Sequence, residues 1–188
     1  MVATARPSFV AAPVIETERL RLRAHRPDDF DACRAIWSDP EVVRHIGGKP
    51  ASGEDAWRRL LTYAGLWRLL GFGYWAIEVK HSGAYVGDIG YAEFRRDMLP
   101  SLRGMLECGW ALARAAQGQG HASEALAAIE AWRRLHFPES RAVCIIAPAN
   151  PASIRVAEKA GLCRWCETTY HGESTLVFTH APLPAPGA

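Results

Sequence analysis

The residues with the clearest capacity for chemistry form a glycine-rich loop that leads directly into a predicted helix. The stretch ARAAQGQGHASEAL, residues 113–126, carries Gly118 and Gly120 just before Ala-Ser-Glu-Ala-Leu, a favourable start for a helix. The N–H groups of such a loop and of the first helical turn have no intrahelical partners, and the helix dipole adds positive potential. The loop therefore predicts an anion site, with phosphate as the expected ligand. A plain strand-to-helix turn is the alternative.

Two nucleotide-binding motifs do not fit this loop. A dinucleotide fingerprint needs a third glycine where this chain has Ser123, and a P-loop needs a lysine nearby. The net charge of +2 is too small, and its charges too scattered, to indicate a nucleic-acid partner. Arg19, Arg21 and Arg23 alternate with leucines, which predicts the solvent face of a strand; a phosphate-binding role is the alternative for them.

Five cysteines occur in the chain, and Cys163 and Cys166 have CxxC spacing. His171 and His180 are further ligand candidates, but a second cysteine pair is lacking, so we expect no metal. Residues 1–14 lack the continuous apolar core of a secretory signal. Because no apolar run approaches the roughly 20 residues of a membrane span, we expect a cytoplasmic protein with no membrane partner.

Hydrophobic periodicity predicts one domain, residues 15–180, between Ala- and Pro-rich flexible arms at 1–14 and 181–188. Its strands are predicted at 18–23, 74–79, 85–94, 106–112, 141–147, 164–170 and 174–179, the last two closing as a hairpin. Helices are predicted to begin near Pro27 and at Ser52, and to cover about 122–136 and 153–160. This order indicates a mixed sheet with helices on both faces.

Two of the predicted helices show apolar stripes at helical spacing. For the helix that begins at Ser52, the predicted apolar face consists of Trp57, Leu60, Leu61 and Ala64. For the helix over 122–136, the residues predicted to point inward are Leu126, Ile129, Trp132 and Leu135.

The loop sequence Gln-Gly-Gln-Gly-His-Ala, residues 117–122, fits the Q/R-x-x-G-x-G/A signature of the GNAT acyl-CoA N-acyltransferases. The chain resembles the RimJ/RimL (ribosomal-protein N-terminal acetyltransferase) branch over about residues 15–180, through the segments 16–23, 38–48, 71–80, 107–126 and 150–162. The resemblance implies the GNAT α/β (α+β) fold. In that fold a mixed, largely antiparallel seven-stranded sheet has splayed strands four and five and helices on both faces.

The resemblance also implies acetyl-CoA as co-substrate, with its pyrophosphate on the loop backbone and its pantetheine arm between the splayed strands. The residues implied to bind it are Trp110, Ala111, Leu112, Gln117, Gly118, Gln119, Gly120, His121, Ala122, Asn150 and Ser153.

The implied reaction is direct attack of a primary amine on the thioester in a ternary complex, with a strand N–H near Trp110 stabilising the oxyanion. Many family members place a tyrosine acid where this chain has Ala157, so Ser153 is the candidate proton donor; a helix cap is its alternative role. Glu107 is the candidate base, because a carboxylate in an apolar strand suits that role. An outward-facing Glu107, Glu93 as base, or a water chain are the alternatives.

The acceptor implied by the family is a protein N-terminus or a small amine, held between the first two helices and the final hairpin. The aromatic and histidine residues expected to line its pocket are Trp37, His45, Tyr74 and Tyr91, with Trp75 and Tyr170 as further candidates. The chain is thus predicted to be an N-acetyltransferase; a catalytically silent acyl-CoA-binding or sensing protein is the alternative. The exposed edge of the hairpin would permit a homodimer.

Overall fold

A mixed eight-stranded sheet forms the centre of the protein in a computed structural model that describes residues 9–180. Its strands are β1 (Ile15–Glu16), β2 (Leu20–Arg23), β3 (Tyr74–Val79), β4 (Ala84–Ala92), β5 (Leu106–Leu112), β6 (Ala142–Ile146), β7 (Cys163–Tyr170) and β8 (Glu173–Thr179). The α-helices are α1 (Phe30–Trp37), α2 (Pro40–Val43), α3 (Gly53–Leu70), α4 (His121–His136) and α5 (Pro151–Lys159). Residues 1–8 of the predicted N-terminal arm and the predicted tail 181–188 lie outside the described residues.

The strand order is β1-β2-β3-β4-β5-β6-β8-β7, and neighbouring strands are antiparallel except for β5 and β6. The register of that parallel pair comprises Leu106 with Ala142 and Glu107 with Val143. Beyond these residues the two strands separate, although β5 continues to Leu112 and β6 to Ile146. The central sheet is therefore splayed between the strands that we predicted as fourth and fifth.

The sheet has eight strands where we expected seven. The additional strand is β1, whose residues pair with β2 as Ile15–Leu22 and Glu16–Arg21. A two-residue strand is too short to show an alternating pattern, so periodicity cannot find it. The predicted hairpin is present, with the turn residues His171 and Gly172 at φ 51° and 82°.

Helix α3 begins and ends where the sequence predicted. Ser52 and Asp55 form a reciprocal capping box, and Gly71 ends the helix with φ 76°. The predicted apolar face was wrong except at Leu60, because Trp57 and Leu61 are exposed. The buried residues are Ala56, Leu60, Tyr63 and Trp67, a second stripe with the same helical spacing. Docking against α1 and the sheet selects this stripe.

The main core lies between the sheet and α4, where Leu126, Ile129 and Trp132 are buried as predicted. Leu135, which we also expected to be buried, is exposed, since the buried face in the last turn of α4 carries Trp132 and Arg133 instead. A second apolar cluster lies on the opposite face, where Cys33, Ile36 and Trp37 of α1 pack near Ala111 of β5. The helices therefore cover both faces of the sheet.

Two expectations about the N-terminal region were wrong. Arg23 is not on a solvent face; it is buried, donates two hydrogen bonds to Asp29 at 2.8 Å, and one to Glu78 at 2.7 Å. The expectation of a free arm is wrong at Phe9, which packs edge-on against Trp67 at 6.3 Å, and at Ala12, which is buried; Val10 and Val14 are exposed. Among residues 9–180 there is no helix long and apolar enough to cross a membrane.

Candidate active site

The glycine-rich loop joins the end of β5 to the start of α4 and leaves a row of backbone donors free. Gly118 and Gly120 have φ values of 75° and 82°, and Gly120 is the N-cap of α4. Glycine is required here because of this left-handed backbone; a Cβ on Gly118 would meet no atom within 4 Å. The N–H groups of residues 118–123 have no acceptor within the described part of the chain. The loop is therefore built to receive an anion.

A cleft of about 580 Å³ opens in front of these N–H groups, within the range of small-molecule sites. It runs from the loop along the end of β5 to the first turn of α5, and α2 forms its far side. The cleft brings together most of the predicted cofactor-binding residues: Trp110, Ala111, Leu112, Gln117, Gly118, Gly120, His121, Ala122, Asn150 and Ser153. Gln119 is the exception, because its side chain turns back and donates to the carbonyl of Ala115 at 2.6 Å.

The gap between β5 and β6 continues this cleft into the sheet. Gly109 and Trp110 of β5 and Ile145 of β6 are partly exposed although they belong to central strands. They are exposed because the two strands separate beyond Glu107 and Val143. Backbone groups that a neighbouring strand would satisfy elsewhere are thus available to an extended ligand. The loop is tied to this gap by Gln117, whose side chain donates to the carbonyl of Leu112 at 2.9 Å.

Helix α5 presents Asn150 and Ser153 to the cleft, and the structure separates their roles. Asn150 is the N-cap, since its side-chain oxygen accepts from the N–H of Ser153 at 3.0 Å. The alternative that Ser153 is the cap is therefore wrong. No hydrogen bond holds the Ser153 hydroxyl within residues 9–180, so it is free to act on a ligand. Ala157 is fully buried in the main core, so a tyrosine would not fit there.

The predicted base Glu107 is buried and bound to an arginine. Arg96 donates to both oxygens of the Glu107 carboxylate at 2.7–3.0 Å, and also to the hydroxyl of Tyr170 at 3.0 Å. The alternative that Glu107 points outward is wrong, since its side chain is only 7% exposed. Both oxygens of the Glu107 carboxylate are therefore engaged by the Arg96 guanidinium. Glu93, the second candidate, accepts from the N–H of Gly104 at 3.2 Å.

Among the residues predicted to line the acceptor pocket, His45 lies on the cleft wall. Trp37 is buried beside it, and its indole N–H donates to the buried carboxylate of Asp88 at 2.9 Å. Tyr74 is also buried, but its hydroxyl reaches β5, where a Cβ on Gly109 would lie 2.3 Å from it. Burial raises the pKa of Tyr74, so this hydroxyl stays protonated at the point where the strands separate.

Tyr91 is a correction to the predicted acceptor pocket. It is fully buried in the main core, on the face covered by α4, and its hydroxyl donates to Glu130. Trp75 is likewise a core residue. Burial disfavours the charge on Glu130, but hydrogen bonds from His180, Arg133 and Tyr91 lower its pKa to about 2. These tyrosine and tryptophan side chains therefore serve stability and do not line the site.

Basic residues on the cleft wall were missed by the sequence analysis. Arg155 and Lys159 of α5, Arg44 after α2, and Arg114 before the loop all line the cleft. The i, i+4 spacing of Arg155 and Lys159 places them on one face of α5, which is the signal that could have found them. We call these four residues the basic wall. Arg44 pairs with Glu41 and Arg114 lies 3.9 Å from Asp39, whereas Arg155 and Lys159 have no ion pair among the described residues. Their positive charge favours a ligand carrying phosphates.

Three features of the cleft fit a CoA molecule: the free N–H groups of the loop, the basic residues and the buried His121. The free N–H groups of the loop suit its pyrophosphate, and the basic wall suits its remaining phosphate. His121, the first residue of α4, is buried on the cleft wall with its Nδ1 lacking a hydrogen-bond partner among the described residues. A polar group of a ligand would satisfy this atom. Within residues 9–180 no group of three or more His, Cys, Asp or Glu is placed to hold a metal ion.

Comparison with known proteins decides the family. The model of the acetyltransferase (GNAT) domain matches residues 19–162. The chain belongs to the GNAT acetyltransferases. It is an N-acetyltransferase, an enzyme that transfers an acyl group other than an amino-acyl group. The chain is similar to p20 of Bacillus licheniformis, an uncharacterised N-acetyltransferase, with 29% identity over 154 residues, 79% of this chain and 84% of the relative.

Solved structures show the same fold. A protein from Bordetella pertussis assigned to the GnaT family of acetyltransferases has a TM-score of 0.79 and 29% identity, covering 90% of this chain and all of that one. RimL, a ribosomal L7/L12 α-N-protein acetyltransferase solved in complex with CoA, has a TM-score of 0.73 and 16% identity, covering 90% of this chain and 98% of its own. The likeness to RimL shows the fold of the RimJ/RimL-like branch.

Proposed function

We propose that this N-acetyltransferase transfers the acetyl group of acetyl-CoA to a primary amine by direct attack in a ternary complex. The observation that carries the proposal is the row of free N–H groups, residues 118–123, which face a cleft continuous with the gap between β5 and β6. The loop and the basic wall bind the phosphates, and the backbone of residues 110–112 pairs with the pantetheine arm. When bound, acetyl-CoA supplies the activated acyl group.

The residues around the gap divide the chemistry. A free backbone N–H near Trp110 stabilises the negative charge that develops on the thioester oxygen. The Ser153 hydroxyl, which is not engaged in the helix cap, donates a proton to the departing thiolate and recovers one from the attacking amine. The ammonium form of the acceptor first loses one proton to water, because Arg96 occupies the Glu107 carboxylate. The proton that Ser153 recovers is the second one, released when the neutral amine bonds to the acyl carbon. A catalytic role for Glu107 would require that Arg96 release it.

The acceptor is a protein N-terminus or a small amine that enters between α2 and the β7–β8 hairpin. His45 lines this side, and the protonated Tyr74 hydroxyl lies at the inner end, against Gly109. Trp37 supports the wall from beneath without contacting the acceptor. The partly exposed edge strand β7 offers a surface for a homodimer.

A catalytically silent acyl-CoA-binding protein is the second candidate, favoured by the buried Ala157 and by the pairing of Glu107 with Arg96. Thermal unfolding with acetyl-CoA tests both functions, and absence of stabilisation at saturating ligand would overturn both. Release of CoA thiol across a panel of small amines and N-terminal peptides separates them. We expect release with at least one class of amine, whereas binding without release from any acceptor would establish the silent protein.

A further inference from the structure

Arg19 lies behind the glycine-rich loop and is hydrogen-bonded to it, although 100 residues separate Arg19 from Gln119. Its Nη1 donates to the carbonyl of Gln119 at 2.9 Å, and its Nε donates to the carboxylate of Glu124 at 2.7 Å. Its backbone N–H donates to the same carboxylate at 2.8 Å. One residue before β2 therefore ties the loop to the first turn of α4.

Glu124 is held firmly enough to orient the guanidinium. The Thr17 hydroxyl donates to Glu124 at 2.6 Å, and the Glu124 side chain is 17% exposed. Burial opposes ionisation of Glu124, but the hydrogen bonds from Thr17 and Arg19 lower its pKa. The carboxylate therefore stays charged at neutral pH. The Arg19 guanidinium is thus held between two partners, the Glu124 carboxylate and the Gln119 carbonyl.

The hydrogen bond to Gln119 determines where the next N–H points. The peptide between Gln119 and Gly120 is trans, so its carbonyl and its N–H point in opposite directions. Arg19 holds the carbonyl behind the loop, and the Gly120 N–H is directed away from Arg19, towards the cleft that Gly120 lines. Glycine on both sides of Gln119 makes this peptide easy to rotate when nothing holds it.

We propose that Arg19 is a positioning residue: through the Gln119 carbonyl it holds the 119–120 peptide in the orientation that binds a phosphate group. The proposal rests on the proposed function, which places the CoA phosphates at this loop. Arg19 acts from behind the loop and does not itself line the cleft. The sequence had suggested only a solvent face or a direct phosphate contact for this arginine.

The discriminating variant is Glu124→Gln, which releases Arg19 but makes the region more positive by one charge. A direct electrostatic role for the Arg19 region predicts tighter CoA binding in this variant, whereas positioning predicts weaker binding. Arg19→Ala removes the hydrogen bond from the guanidinium to the Gln119 carbonyl. We expect both variants to raise the Kd for CoA about 10- to 100-fold, the effect of losing one charge-assisted hydrogen bond.

Two controls isolate the phosphate site. Arg21→Ala removes a similarly exposed arginine that pairs with Glu16, away from the loop, and should leave the Kd unchanged. S-acetylpantetheine lacks the phosphates, so its kcat/KM should be the same in wild type, Arg19→Ala and Glu124→Gln. Thermal unfolding verifies that each variant is folded at the temperature of measurement.

The outcomes separate the two proposals. Glu124→Gln binding CoA as tightly as wild type or tighter would overturn the positioning role. Equal losses of kcat/KM with acetyl-CoA and with S-acetylpantetheine would also overturn it, because the effect would then not be on the phosphates. Failure of the wild-type protein to bind CoA would instead overturn the proposed function. The positioning role would fall with it, because that role requires the CoA phosphates to bind at the loop.

Discussion

A carboxylate placed on the first turn of α4 should repel CoA while leaving the helix intact. Ser123 is the third residue of α4, lines the cleft, and has a free N–H. Ser123→Glu puts a negative charge beside the predicted phosphate site. The helix tolerates this change, because an acidic residue near a helix N-terminus is stabilising by about 0.3–1 kcal/mol. Ser123→Gln has the same length without the charge and serves as the matched control.

The size of the effect follows from Coulomb's law. At about 6 Å and an effective dielectric of about 40 to 80, one pair of unit charges repels by about 0.7–1.4 kcal/mol. A pyrophosphate carries about two charges, so the repulsion is about 1.4–2.8 kcal/mol. We therefore expect the Kd for CoA of Ser123→Glu to exceed that of Ser123→Gln by about 10- to 100-fold.

Isothermal titration of CoA into both variants measures this ratio directly. Near 1 M salt the Debye length is about 3 Å, so the ratio should shrink strongly there. Thermal unfolding of the free proteins should show Ser123→Glu at least as stable as Ser123→Gln. Equal affinities of the two variants at low salt would refute the reasoning, since the phosphates could not then lie at the start of α4.

Three further predictions concern catalysis and stability. Ser153→Ala should lower kcat by about 100-fold or more with little change in the Kd for acetyl-CoA, in steady-state and titration measurements; unchanged kcat would remove Ser153 from catalysis. Trp37→Phe should lower the free energy of unfolding in urea by about 1–3 kcal/mol, because Asp88 loses a buried donor. The exposed Trp57→Phe is its control and should change little. Glu130 has a folded pKa of about 2 against 4.5 ordinarily, so its carboxylate stabilises the fold above about pH 4.5. The advantage of wild type over Glu130→Gln, about 3 kcal/mol at most, should therefore disappear as the pH falls from 4.5 towards 2, and a pH-independent difference would contradict this.

The local elements of this protein could be predicted because local chemistry specifies them. Ser52 with Asp55 caps α3, Gly71 ends it, and Gly118 and Gly120 adopt the positive φ angles that only glycine takes easily. Alternation at 18–23, aromatic and branched residues at 74–79 and a continuous apolar run within 141–147 located strands, and the two-residue β1 was the one missed. The loop signature and its spacing from Asn150 were sufficient to identify the family and most of the cleft.

Long-range packing decided what the sequence could not. Two apolar stripes of equal periodicity exist on α3, and only docking against α1 and the sheet selects the one that contains Tyr63 and Trp67. Glu107 has the residue type of a base, but its partner Arg96 comes from the preceding connection and pairs with it only in the folded chain. Tyr91 and Trp75 share the aromatic character of Tyr74 and face the main core.

The sequence by itself determined the family and the loop that we propose binds the acyl donor, because the glycine loop, the helix start and Asn150 act through local conformation at fixed spacings. The tertiary structure alone decided which charged side chains meet. Arg19 reaches Gln119 and Glu124 from about a hundred residues away, and Arg96 neutralises Glu107. Such contacts form only when strands and helices that are far apart in the sequence pack together. A local sequence pattern does not encode which of these elements become neighbours.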